Sequence, residues 1–393
     1  MTTKTSPLSY RGPGIVPQFE NISDPKILGT LRSPHRLCLG EKLLSAPGSP
    51  LFKAEMMPDR IISEHTARIT IDGAQFYALT EHELGGYGLL HKNGEVFSHD
   101  HIQPLGFNHQ IRPNSLPPHW AAGMFSANTE IIETDALVGV ALNAHLVWGH
   151  FLLEMMARVH LLAKLRDLGK PIKIAVPRDG PKWAQEFIEL YFSKIEIIFY
   201  EAARHRLRAH GFVLPGMMMQ SYYLHPAVNF VVEELLQRVV PAYTGKRGVR
   251  HLYLSRSHHA GEHLIENETE VETMMGRLGF EIVHPQELSL RQQLALYANA
   301  HCIVSMYSSA SHNAIFAPRG TPVFCFGWMN NCQSGIAALR NQPVAYMRPS
   351  NCGVIFPPEK NEPGPFKMRI DCQKLPYELD GFLSFAEAAN ASA

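Results

Sequence analysis

The chain has 393 residues, 45% of them hydrophobic and 18% charged, which is enough apolar material for two cores of ordinary size. Lys plus Arg and Asp plus Glu both total 36, so no net field draws the protein to nucleic acid or to an anionic membrane. Two short basic runs, Arg204, Arg206 and Arg208 and then Lys246, Arg247 and Arg250, are the places where a local positive patch could form.

The six cysteines, Cys38, Cys302, Cys325, Cys332, Cys352 and Cys372, form no CxxC pair. Cys302 and Cys325 fall inside apolar, strand-like runs, which fits buried thiols in a reducing compartment better than a disulfide frame or a zinc site. Met1 to Gly14 has no apolar segment of signal-peptide type. No stretch approaches about 18 uninterrupted apolar residues, so no membrane span is expected. The expectation is a cytoplasmic protein with at most peripheral membrane contact at the inner face.

In chain order, residues 1–58 are rich in Pro, Gly and Ser and read as an extended arm. From Arg60 to Trp120 come short strand candidates, such as Ala67–Ile71 and Gln75–Leu79, in a β-rich or irregular elaboration. Alternation begins near Ile131. A strand over Leu137–Leu142, a helix over Trp148–Leu168, a strand over Lys173–Val176, a helix over Lys182–Phe192 and a strand over Ile195–Tyr200 make βαβαβ, with Phe212–Pro215 as one more strand. That pattern predicts a parallel sheet. A helix over Pro226–Val240 ends at Pro241 and Gly245.

A second series opens with strand His251–Ser255 and helix Glu268–Leu278, closed by Gly279. Strand Glu281–Val283, helix Ser289–Asn299 with Ser289 as N-cap, and strand Cys302–Met306 follow. A small-residue loop leads into a short helix, Ala310–Phe316; strand Pro322–Phe326, a polar turn and strand Pro343–Met347 complete the series. Residues 351–376 are Pro-rich and irregular, before a last helix, Leu383–Ala389, that could pack back. The expected division is an arm (1–58), a first α/β domain (59–225), a second α/β domain (226–350) and a tail (351–393). Two doubly wound α/β units in succession, with strand ends facing a shared crevice, are the plan of GT-B enzymes, because ligands of open α/β sheets bind at the carboxyl ends of the strands.

Arg256 falls just past a strand's carboxyl end, where a guanidinium can grip a diphosphate with two hydrogen bonds; a surface ion pair is the competing reading. The run Ser305-Met306-Tyr307-Ser308-Ser309-Ala310-Ser311-His312-Asn313 joins a strand to a helix through small hydroxyl residues. Amides and dipole at such a helix start favour an anion, against the plainer reading of a serine-rich cap. His150, at the start of a helix after a strand, is a candidate general base, with Glu154 one turn on to orient or replace it. The competing role for His150 is that of a cap. Arg158 continues that stripe, toward an acceptor's phosphate or carboxylate or into a salt bridge.

His99-Asp100-His101, and His258, His259 and His263, could be read as metal ligands. Gly261 argues against the helix that His259 and His263 would need, and no third ligand is evident. No Asp-x-Asp occurs anywhere, so the motif by which GT-A enzymes hold a divalent ion at a diphosphate is missing. The Met217-Met218-Met219 run reads as core or crevice lining, and Tyr222 and Tyr223 as core packing, with stacking on a sugar or base as the competing role.

The order of these elements resembles glycosyltransferase family 61. The resemblance is carried by Leu254-Ser255-Arg256, Asn267-Glu268, Gly279-Phe280, Leu288-Ser289-Leu290 with Gln292 and Gln293, Cys302-Ile303-Val304, and Asn313 before Ile315-Phe316-Ala317-Pro318. Trp148-Gly149-His150-Phe151-Leu152-Leu153-Glu154 with Arg158 is similar to the family's histidine-containing helix start. Tyr307 stands where members usually carry a histidine. The resemblance covers roughly residues 143–326 and implies inverting transfer from a nucleotide sugar, UDP-linked in our reading, to a glycan or lipid-linked saccharide, with no metal cofactor. It implies donor contacts from Arg256, Asn267, Gln293, Tyr307, Ser308, Ser309 and Asn313. A non-catalytic nucleotide- or glycan-binding protein of the same fold is the alternative, and an epimerase or hydrolase a weaker one.

Overall fold

In a computed structural model of the chain, the described residues are 130–347, except 143–146, 168–170, 179, 202–203, 216–218, 221–222, 225–227, 260–263 and 327–330, together with 367–391 and short segments between 36 and 96. They fall into two compact units divided between Val231 and Val232; the strands Arg36–Leu37, Phe52–Lys53 and Arg60–Ile61 go with the second. His99, His101, Met217, Met218, Tyr222, Glu262, His263, Cys38, Cys352 and residues 351–366 lie outside the described residues. Among the described residues no helix is long and apolar enough to cross a membrane.

The first unit contains β1 (Phe76–Leu79), β2 (Glu83–Leu84), β3 (Leu90–Lys92), β4 (Glu95–Val96), β5 (Glu130–Gly139), β6 (Ile172–Pro177), β7 (Ile197–Tyr200) and β8 (His205–Pro215). Four of these pair in parallel in the order β7-β6-β5-β8, and β8 continues antiparallel into β2, β3 and β4, with β1 also on β8. The α/β expectation with parallel sheets holds. Two strands are longer than their apolar runs, which extend only over 137–142 and 212–215. The amino-terminal halves of β5 and β8 alternate charged and apolar residues, and charge pairs hold the charged face. Arg204 meets Glu130 at 2.6 Å, Arg206 meets Glu83 at 3.3 Å, and Arg208 meets Glu83 and Glu133. The basic run at 204–208 is therefore neutralised by carboxylates from neighbouring strands and forms no positive patch. In the second run, Arg247 and Arg250 pair likewise with Glu387 and Glu281.

Between β5 and β6 runs the helix α1 (residues 148–167), in three segments: Trp148–His150 is α-helical, Phe151–Met155 is π-helical, and Met156–Asp167 is α-helical again. Residues 151–163 are all buried, so this is a central helix and not an amphipathic surface one. It lies against β6 and β8, and Leu162 reaches the space that Gly139 leaves on β5. α2 (Lys182–Glu189) follows β6 and buries Phe187 against Phe151 and Tyr191.

α3 (Val228–Val239) leads into β9 (Arg250–Leu254), α4 (Glu268–Arg277), β10 (Glu281–Val283), α5 (Leu290–Tyr297), β11 (Ala300–Met306), β12 (Val323–Phe326), α6 (Asn331–Leu339), β13 (Val344–Met347) and α7 (Leu375–Ala391). The sheet is parallel in the order β10-β9-β11-β12-β13, with Phe52–Lys53 antiparallel on β13. Local chemistry sets several boundaries. Ser289 caps α5 in a capping box with Gln292, and Gly279 takes φ +82° past the end of α4.

Three expectations need correction here. The polar turn after β12 contains the helix α6: its Gln333 and Ser334, and Arg340 just past its end, are buried by tertiary contacts that polarity alone does not suggest. The last helix begins at Leu375, eight residues before 383; Leu375, Leu379, Phe382 and Ala386 place one face in the core with Phe324. The helix expected at Ala310–Phe316 is a six-residue 3-10 helix, Ser311–Phe316, buried along its whole length.

Candidate functional site

In each parallel sheet the strand order reverses once, and ligands of such sheets bind past the carboxyl ends at that reversal. In the second unit the reversal lies between β9 and β11. Leu254 pairs with Ser305 across those strands, so Arg256 and the loop beginning at Tyr307 leave the same end of the sheet from adjacent strands.

The turn after β9 is held by α4. Oε1 of Glu268, the first residue of that helix, accepts the Tyr253 hydroxyl (3.1 Å) and the Arg256 backbone N–H (2.8 Å), and lies 3.1 Å from the Ser255 hydroxyl. The carboxylate is 5% exposed, and its Oε2 has no hydrogen-bond partner among the described residues. The Ser255 and Ser257 hydroxyls both lie 2.6 Å from Glu272. This anchoring leaves the Arg256 side chain without a carboxylate partner among the described residues. Its Nη2 is 3.3 Å from His259 Nδ1, its Nε has no partner, and burial lowers its pKa, with nearby Glu268 opposing. A half-buried guanidinium with no carboxylate hydrogen-bond partner among the described residues can receive an anion.

Across from it, the Tyr307 N–H donates to the Phe326 carbonyl, and the Ser308 hydroxyl accepts the Ala310 N–H. The Ser308 carbonyl accepts both the N–H and the hydroxyl of Ser311. Ser308 is buried; Tyr307 and Ser309 are half-buried. Because the element that follows is a short 3-10 helix, the macrodipole expected at its start is weak.

The reversal in the first unit lies between β5 and β8. α1 follows β5, and β8 ends at Pro215, whose carbonyl accepts Arg158 Nε–H at 3.1 Å. His150 and Glu154 meet across the π-helical turn: Nδ1–H donates to Glu154 Oε1 at 2.7 Å. This contact fixes the tautomer in which Nε2 is the basic nitrogen. The Glu154 side chain is 1% exposed and that of His150 29%. Arg158, 5% exposed, has its pKa pushed down to about 10 by burial, with Glu154 as the opposing influence. Buried charges in an apolar helix survive only when paired, and a π turn within a helix often marks a functional position. Arg158 is thus buried inside the unit, bonded to the Pro215 carbonyl with Glu154 as a nearby charge, and is not a surface residue.

Three residues expected at the donor site have other work. The Asn267 amide donates to the Ile370 carbonyl and accepts the Ile370 N–H; the Gln293 amide donates to the Pro285 and Leu288 carbonyls; the Asn313 amide donates to the Tyr297 hydroxyl. These contacts hold segments of the second unit together, and the three residues are not carried into the site proposed below. Sequence reasoning left out Glu268, whose signal was a carboxylate opening a helix beside Tyr253 and Ser255. Among the described residues no group of three or more His, Cys, Asp or Glu side chains is arranged to hold an ion.

The Glycosyltransferase 61 family model matches residues 148–324, from the first residue of α1 into β12. No curated protein matches the chain. The span holding the His150–Glu154 pair, the Arg256 turn and the Tyr307 loop is thus the span that the family model recognises, and this match supports glycosyltransferase family 61 and, with it, glycosyltransferase activity.

Proposed function

We propose that the protein is an inverting, metal-independent glycosyltransferase of the GT-B type. It moves a hexosyl or pentosyl unit from a nucleotide sugar, UDP-linked in our reading, to a glycan or lipid-linked saccharide. The observation that carries the reading is the Arg256 guanidinium, without a carboxylate hydrogen-bond partner among the described residues, at the β9–β11 reversal from which the Tyr307–Ser309 loop also leaves.

Inverting transfer forms a bond from the acceptor oxygen to the anomeric carbon, passes the hydroxyl proton to a base and breaks the bond from that carbon to the diphosphate oxygen. In the first unit His150 Nε2 is the group we assign as base; in the second, Arg256 and the Ser308–Ser309 loop are the groups we assign to the charge of the departing nucleoside diphosphate. Glu154 stabilises the imidazolium, and Arg158 balances Glu154.

A second reading, nucleotide binding without turnover, is favoured by Tyr307 and by the short 3-10 helix, both of which weaken stabilisation of the leaving group. Transfer and donor hydrolysis measured with a panel of UDP-, GDP- and CMP-sugars separate the two. Turnover that falls in both Arg256→Ala and His150→Ala supports catalysis; nucleotide binding with no turnover supports the second reading.

A further inference from the structure

The residues on either side of Arg256 are tied down by a side chain that the reaction above does not use. The Ser255 and Ser257 hydroxyls each donate to the same oxygen, Oε1 of Glu272, at 2.6 Å. The Ser257 backbone N–H donates to Ser255 Oγ at 3.0 Å, which closes the turn on itself. Glu272 follows Glu268 by four residues on α4, so the two carboxylates stand one helical turn apart on the face that meets the turn. Glu268 accepts the Arg256 N–H, and Glu272 accepts the two flanking hydroxyls. Two residues past Arg256, His258 stacks on His284 with ring centroids 3.9 Å apart, and its Nδ1 lies 2.7 Å from Glu287 Oε1. The turn is thus fastened both to α4 and to the segment that follows β10. Two carboxylates this near a guanidinium are its natural ion-pair partners. Among the described residues, however, neither hydrogen-bonds the Arg256 side chain, whose Nη2 is 3.3 Å from His259 instead.

We infer that Glu272 is a positioning residue for Arg256. The inference rests on the reading above, in which Arg256 holds the diphosphate, and it gives Glu272 itself no contact with that anion. Acting through the Ser255 and Ser257 hydroxyls, Glu272 fixes the backbone before and after Arg256, so the guanidinium stands in place before the anion arrives. A turn that is already ordered loses less freedom on binding, and affinity rises accordingly. The sign of the effect separates this role from plain electrostatics. As a negative charge near an anion site, Glu272 weakens anion binding; as the anchor of the turn, it strengthens it. Both serine contacts go to one oxygen, so a glutamine at this position keeps the anchor and discards the charge.

The test measures binding of inorganic pyrophosphate and UDP by calorimetry to the full-length wild type, Glu272→Ala, Glu272→Gln, Arg256→Ala and the Arg256→Ala/Glu272→Ala double variant. Glu272→Ala is expected to weaken both ligands by about 3- to 10-fold, the scale of ordering one long side chain on binding. Glu272→Gln should bind as tightly as the wild type or more tightly. Once Arg256 is alanine, removing Glu272 should make no further difference, because the two act as one unit. Affinity in Glu272→Ala that equals or exceeds the wild type overturns the inference. So does a loss in Glu272→Gln as large as that in Glu272→Ala, or a full further loss in the double variant. Should Glu272→Ala fail to fold, Ser257→Ala removes one of the two contacts at an exposed position, and unchanged affinity there overturns the inference equally. If the wild type binds neither pyrophosphate nor UDP, the donor reading itself falls.

Discussion

Nδ1 of His150 lies 2.7 Å from Oε1 of Glu154, across a π-helical turn buried in the first unit. The contact gives the imidazole a fixed tautomer and a fixed direction. His150→Ala is expected to lower kcat by about 10²- to 10⁴-fold with little change in donor affinity, as loss of a general base does. Glu154→Gln keeps the shape and removes the charge, so a smaller fall in kcat is expected. An unchanged kcat in His150→Ala would remove it from the mechanism.

Arg256 is the charged partner proposed for the diphosphate. Arg256→Ala is expected to weaken nucleoside diphosphate binding by about 10- to 100-fold, the range for losing charged hydrogen bonds. Arg256→Lys should recover only part of this, because an ammonium cannot reproduce the two-point fork. Titration calorimetry reads both, and full recovery by lysine would argue against a bidentate contact.

Glu268 holds Arg256 in place through the backbone and has a measurable structural role besides. Replacing it with Ala removes the acceptor for the Tyr253 hydroxyl and the Arg256 N–H, at a cost of about 2–4 kcal/mol. Denaturant unfolding checks the magnitude. Glu268→Gln should retain more stability, yet lose donor affinity through a displaced Arg256 turn.

Gly248, at the approach to β9, is a packing requirement. A Cβ there would run into the Asn299 backbone carbonyl, which the chain cannot move without disturbing β11. Gly248→Ala is expected to cost about 2–4 kcal/mol, whereas Gly276→Ala, where a Cβ meets nothing within 4 Å, should be neutral or slightly stabilising. Comparable melting temperatures for the two variants would refute this.

Stability should fall on acidification in two stages. Burial first, then the His301 ring and Arg247, hold His251 below its ordinary value of 6.5. The unfolded chain therefore binds this proton more readily, and stability declines as pH drops from about 6.5 toward the folded value. Glu387, whose pKa is lowered by its hydrogen bond from Arg247, contributes stability above 4.5 that is lost as pH falls through its folded value. Melting curves from pH 7.5 down to about 3 should show both stages, and His251→Gln should remove the first.

Most of the elements were legible in the sequence because period, caps and turns are local. Ser289 with Gln292 marks the start of α5, Gly279 the end of α4, and the apolar runs give β6, β10, β11 and β12 within a residue or two. Spacing alone put His150, Glu154 and Arg158 on one stripe, and Arg256 just past a strand. Register and burial are not local, and they decided the rest. Whether Arg256 and the Tyr307 loop share an end of the sheet depends on Leu254 lying opposite Ser305. Whether a polar side chain is available depends on its neighbours: Asn267, Gln293 and Asn313 carry the right groups, but backbone carbonyls and a tyrosine occupy them. The same holds for the arginines at 204–208, whose charge the sequence counts and whose counterions only the sheet supplies. Residue type and order set which chemistry the chain can carry. Pairing across strands, at distances of a few ångströms between residues far apart in sequence, set which groups are left free to do it.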